Sequence, residues 1–180
     1  MVRSTLIIPQ KIYRSIHKYL FPKKIRSEQV VFIFTTVYRI EKSIQFEFKD
    51  WYLVQPNEYE YQSLGYVELK DEMRPKIIKI AFDLDAAIVE IHSHPYSRPA
   101  MFSPSDIEGF NEFVPHVWWR LKKKPYGAIV FSKFDFDALV WIDDPKIPQQ
   151  LTEILVEEQR FYPNCLTLIN RGKEYGYRSF

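Results

Sequence analysis

The spacing of apolar residues changes several times along this chain, and each change marks an element. Residues 5–8 (TLII) form a short apolar run closed by Pro9, which predicts a first strand. Behind it Ile12, Tyr13, Ile16 and Leu20 recur at helical spacing, so residues 10–20 predict an amphipathic helix that Pro22 ends. Residues 28–40 (EQVVFIFTTVYRI) and 43–54 (SIQFEFKDWYLV) are rich in β-branched and aromatic side chains and predict two strands. The polar, Tyr-rich stretch 55–65 predicts loop. Residues 76–82 (KIIKIAF) carry a strand pattern, and 86–92 (AAIVEIH) a stronger one that runs directly into two histidines. Ser103, Pro104 and Asp106 form a helix-start signature that predicts a helix over residues 105–113. Residues 126–132 and 136–142 predict two strands joined by a polar break, a hairpin. Residues 149–161 predict a final amphipathic helix, and 166–169 a short strand.

Helices interspersed with strands predict an α/β (α+β) fold in which helices flank a mixed β-sheet. The chain divides into a main domain, residues 1–148, and a C-terminal helix and tail, residues 149–180. The end of that tail (NRGKEYGYRSF) is polar and Tyr/Arg-rich, like a linker to a following domain. With only five glycines there is neither a P-loop nor a dinucleotide-binding fingerprint.

Composition narrows the function. Aromatic residues make up 17% of the chain, enough that some rings lie on the surface and favour contact with another protein. A formal net charge of +2 gives no general electrostatic case for binding nucleic acid. Cys165 is the single cysteine, so an internal disulfide and a cysteine-based zinc site are both excluded. The apolar run near the N-terminus is too short for a signal peptide, and no stretch approaches the roughly 18 apolar residues that span a membrane. A reducing, cytoplasmic setting is the expectation.

The candidate chemistry lies in IHSHPYSRPAMFSPSD. His92 and His94 are two residues apart, and on a strand that spacing points both imidazoles to one face, where they can converge on one ion. Asp106 falls in the first turn of the expected helix, where a carboxylate is favoured electrostatically. Two imidazoles and one carboxylate leave the fourth tetrahedral position of a zinc ion for water, the arrangement of a catalytic rather than a structural site. Zinc lowers the pKa of such a water towards about 7. His17 on the first helix and His116 near Trp118 and Trp119 read as surface or core residues, and the basic run at residues 120–124 as a solvated face.

The combination of His92-Ser93-His94-Pro95 with Ser103-Pro104-Ser105-Asp106 resembles the JAMM (MPN+, JAB) metalloprotease family, whose motif is a distant Glu, then HxHP, then SxxD. The resemblance implies a cytidine-deaminase-like JAB/MPN core and one zinc ion per chain, held by His92, His94 and Asp106. Ser103 would bind the scissile carbonyl oxygen, a role that suits a hydroxyl donor. Eleven residues separate His94 from Asp106, one more than is usual, and a loop insertion absorbs such a residue at little cost. Ser97 and Ser105 compete for the serine role, and counting back from Asp106 favours Ser103.

The general base must be a carboxylate. Glu28, opening a hydrophobic strand after a first strand and helix, resembles the family layout by position, although Gln29-Val30-Val31 lacks the small residues that often follow that Glu. Glu90 shares the strand face of His92 and is a supporting residue beside the ligands, while Glu41 is a third candidate. The resemblance is to the compact prokaryotic JAB branch. It implies hydrolysis of the bond after the C-terminus of a ubiquitin-like protein, in conjugates or precursors. An E1-like adenylyltransferase would be an operon partner or fused domain. The alternatives are a zinc hydrolase acting on a small peptide or amino-acid conjugate, and a catalytically silent MPN-like scaffold.

Overall fold

The strand expected over residues 28–40 is the centre of the structure, and its alternating side chains separate two cores. The computed structural model describes residues 2–24, 26–95 and 99–174. In chain order the elements are β1 (Arg3–Ile7), α1 (Gln10–Leu20), β2 (Val30–Ile40), β3 (Ser43–Leu53), β4 (Tyr59–Gln62), β5 (Val67–Leu69), α2 (Met73–Asp83), β6 (Ala87–Ser93), α3 (Pro104–Arg120), β7 (Tyr126–Phe131), β8 (Phe136–Trp141), β9 (Gln149–Gln150), β10 (Glu153–Val156), β11 (Gln159–Phe161) and α4 (Leu166–Glu174). Nine strands make one mixed sheet in the order β11-β10-β1-β3-β2-β6-β7-β8-β9, and β4 and β5 pair as a separate hairpin. Among the described residues no helix is long and apolar enough to cross a membrane.

Along β2, Val30, Phe32 and Phe34 point into one core while Val31 and Ile33 point into the other. The first core packs against α2 and α3 through Met73, Ile77, Phe110, Phe113 and Val117. The second packs against α1 through Ile16 and Leu20. Because both faces are covered, the central strands read as continuous apolar runs. β6 obeys the same alternation: Ile88 lies in the α2–α3 core and Val89 and Ile91 in the α1 core. Glu90 and His92 therefore project towards α2 and α3.

The sheet-and-helix class, the first helix, the three longest strands and the β7–β8 hairpin agree with the sequence pattern. Three elements differ. Residues 76–82 lie in helix α2, not a strand; Met73, Ile77, Ile78 and Ala81 are its buried face, with Ile77 four residues after Met73 and Ala81 four after Ile77. Residues 166–169 open helix α4, not a strand, and the Asn164 side-chain oxygen accepts a hydrogen bond from Leu166 N at its start. Residues 149–161 form strands β9, β10 and β11 rather than a helix, all in the nine-stranded sheet with β1, β2, β3, β6, β7 and β8. There β10 lies parallel to β1 and Glu153 is buried, bonded by Arg3 at 3.0 Å and by Arg160. In the stretch expected to be loop, residues 55–65 contain a single 3-10 turn and β4.

Candidate metal centre

His92 sits near the end of β6, paired with Val30 of β2 on one side and Val130 of β7 on the other. Beyond the ladder, Ser93 N donates to Gln29 O (3.0 Å) and His94 N to Phe131 O (2.7 Å), so the backbone of both histidines is fixed. Asp106 comes from the opposite layer. Ser103 is the N-cap of α3, with Pro104 at the first helical position and a capping box in which Asp106 N donates to Ser103 Oγ (3.2 Å) and Ser103 N to Asp106 Oδ2 (2.7 Å). Phe110, buried against Trp141 and Tyr126, seats this helix on the sheet.

These elements bring the three side chains together. Asp106 Oδ2 is 3.6 Å from His92 Nε2 and 3.8 Å from His94 Nε2, and one ligand atom from each residue lies within 4.8 Å of the others. His92 is 3% exposed and its Nε2 has no hydrogen-bond partner. A buried imidazole nitrogen without a hydrogen-bond partner is costly unless a nearby charge or an ion answers it. The set of two imidazoles and one carboxylate could hold a metal ion, and the bare His92 Nε2 fits that use.

Charge in the site is divided unequally. Burial lowers the pKa of His92, but the Asp106 carboxylate beside it, with Glu90 and Glu28 further off, raises it to about 9. Burial and repulsion from His92 lower His94 to about 4, although Asp106 opposes the shift. Burial pushes the Asp106 carboxyl up, yet His92 and the two hydrogen bonds from Ser103 hold it well below the ordinary range. At neutral pH His92 is thus the charged member of the triad that must lose a proton to ligate, while His94 and Asp106 are already in their ligating forms. A cation must displace that proton. Zinc affinity is therefore expected to rise about tenfold per pH unit from pH 5 to pH 8 and to level off above about 9. Calorimetry in buffers of different ionisation enthalpy should find about one proton released per zinc at pH 7; release of none would contradict this charge distribution.

Around the triad, Glu28 lies just before β2, 4% exposed, with Oε1 at 3.7 Å from His94 Nε2. Its N–H donates to Ser63 O (2.8 Å) and its carbonyl accepts from Gln62 Nε2 (2.7 Å), which ties it to the β4–β5 hairpin. Glu90 lies beneath His92 and accepts a bond from Tyr126 OH (2.7 Å). Burial raises its pKa against the opposing effects of that bond and of His92. Tyr126 was not among the expected site residues, although strand alternation and a parallel β6–β7 pairing would have pointed to it. Glu41 is exposed in the tight β2–β3 turn with φ 49°, at the far end of β2 from Glu28. His17 packs against Phe131 and Tyr13, and His116 is exposed on α3. Ser105 Oγ is 2.9 Å from Ser103 Oγ, whereas Ser97 lies outside the described residues.

The triad opens into a cavity of about 410 Å³ between the sheet, α3, Arg74 of α2 and the β4–β5 hairpin. Glu28, Glu90, Ser103 and Phe110 line it together with the three candidate ligands. No protein-family model matches the chain, and no curated protein matches it.

Proposed function

We propose that this chain is a zinc-dependent peptidase or isopeptidase of the JAMM type, acting on the bond after the C-terminus of a ubiquitin-like protein. The observation that carries the reading is the placement of a nearly buried carboxylate, Glu28, against the His92–His94–Asp106 cluster at the mouth of a cavity. On this reading the mixed sheet, with the histidines at the end of β6 and the acid opening α3, is the cytidine-deaminase-like JAB/MPN core. The setting is a reducing cytoplasm, and an E1-like adenylyltransferase acts in the same modifier system.

His92, His94 and Asp106 would hold a zinc ion, which would supply a Lewis acid and a water nucleophilic at neutral pH. Glu28 takes a proton from the attacking water as its oxygen bonds to the carbonyl carbon. It returns that proton to the amine nitrogen as the carbon–nitrogen bond breaks. Ser103 Oγ donates to the carbonyl oxygen as negative charge develops there. That hydroxyl bonds Asp106 Oδ2 at 2.8 Å, the same oxygen that lies nearest both imidazoles, and would turn from it to the substrate. Glu90, engaged by Tyr126, holds the floor of the cavity.

The cavity volume favours one second reading, since about 410 Å³ also suits a small amino-acid conjugate. Linear fusions of ubiquitin-like proteins to a reporter test the proposal. Cleavage after the modifier's last residue is expected with zinc-loaded protein, is lost on chelation and returns with about one equivalent of zinc. Cleavage indifferent to chelation would sink the zinc mechanism, and hydrolysis of amino-acid amides without any cleavage of fusions would favour the second reading.

A further inference from the structure

Asp106 and Ser103 reach the site on a loop, and that loop is held by the C-terminal part of the chain. Phe102 N donates to Thr167 Oγ1 at 3.0 Å, and Thr167 is 3% exposed on α4. Ala100, fully buried, is gripped on both sides: its N–H donates to Asp135 Oδ1 (2.9 Å) and its carbonyl accepts from Asn164 Nδ2 (2.7 Å). Asn164 Nδ2 also bonds Asp135 Oδ2 at 2.7 Å. Asp135 is held in turn by the Ser132 hydroxyl. The clamp has a firm base, because Thr167 N donates to the buried Asp137 of β8 (2.7 Å) and Asn164 N to Phe136 O (2.9 Å).

The clamped segment touches the metal centre twice. The Phe102 ring lies 5.7 Å from the His92 ring, centroid to centroid, and packs on Phe110 at 5.4 Å. The next residue, Ser103, gives both its N–H and its hydroxyl to Asp106 Oδ2. The last clamp bond, at Phe102 N, and the N–H that orients the carboxylate, at Ser103, are therefore on consecutive residues. The polar side chains of Thr167 and Asn164 answer buried backbone groups that would otherwise lack partners.

We propose that Thr167 and Asn164 are positioning residues of the metal centre, fixing the Ala100–Phe102 backbone so that Ser103 and Asp106 meet His92 and His94. This rests on the metal-site reading above, and partners that orient ligands are a recognised source of metal affinity. The test uses the full chain with zinc and cobalt as probes. Thr167→Val, which keeps shape and removes the acceptor, should weaken zinc binding about tenfold and alter the visible absorption of the cobalt-loaded protein. Thr167→Ser, which restores the hydroxyl, should stay within about threefold of wild type with an unaltered spectrum. Asn164→Ala should also weaken zinc about tenfold, and it carries the test if Thr167→Val does not fold. Wild-type zinc affinity and cobalt spectrum in Thr167→Val and Asn164→Ala would overturn the proposal. If the wild-type chain binds neither ion, the metal reading fails, and amide exchange decides the clamp. Faster exchange at Phe102 and Asp106 in Thr167→Val but not in Thr167→Ser supports it, and unchanged exchange overturns it.

Discussion

If the chain is the zinc hydrolase proposed above, replacing Glu28 by Gln is expected to lower hydrolysis by about 10²- to 10⁴-fold, the usual contribution of general acid–base catalysis, while zinc remains bound. Gln matches Glu in size but cannot accept a proton. It should also stay in place, because Ser63 and Gln62 hold position 28 through its backbone rather than its carboxylate. The defect should appear in kcat, since the variant removes a step rather than a binding surface. Glu90→Gln is the control that separates the two carboxylates. Glu90 is bonded by Tyr126 beneath His92, so its loss should reduce activity less and mainly through weaker zinc binding. A Glu28→Gln protein that holds zinc and keeps the wild-type rate would show that another group is the base.

The second large effect is expected from His92→Ala. Structural zinc sites contribute about 10–16 kcal/mol over about four ligands, so one ligand accounts for about 3 kcal/mol, or about 100-fold or more in affinity. His92 should exceed that average. Its Nε2 is buried without a hydrogen-bond partner, and its ring is pre-oriented by β6 and by Phe102. The variant should purify with far less than one zinc per chain. Its residual zinc binding should also lose the pH dependence assigned to His92 below pH 8, because the displaced proton is gone. Affinity measured against a competing chelator checks both. Wild-type affinity in His92→Ala would remove the metal centre as described.

The candidate site was legible because its residues are local in sequence and each obeys a local rule. Alternation on one strand orients His92, and N-cap chemistry places Ser103 and Asp106. Glu28 was reachable only through family order, because its approach to His94 depends on β2 pairing with β6 across about sixty residues. Tyr126, Asn164 and Thr167 were missed because they act through contacts between elements distant along the chain.

The misread elements follow the same division. In residues 149–161 the apolar positions Leu151, Ile154 and Leu155 suit a helix, and nothing local reveals that Glu153 will be buried between Arg3 and Arg160. In α2 and α4 the branched residues Ile77, Ile78, Thr167 and Ile169 suggested strands, but packing against the sheet and the Asn164 cap decided for helix. Propensity yields where tertiary burial is this strong.

The position of β10 also constrains the order in which the chain can fold. Thr5 is registered against Glu153 and bonds its carboxylate at 3.1 Å, a contact spanning 148 residues. While the chain is being synthesised, β1 can pair on its β3 side early, but its other edge stays open until β10 has emerged. An unpaired edge is a template for wrong partners, and contacts this distant are slow to close. Strand β10 thus completes the sheet beside β1, and the nascent protein carries an aggregation-prone edge until β10 has been made.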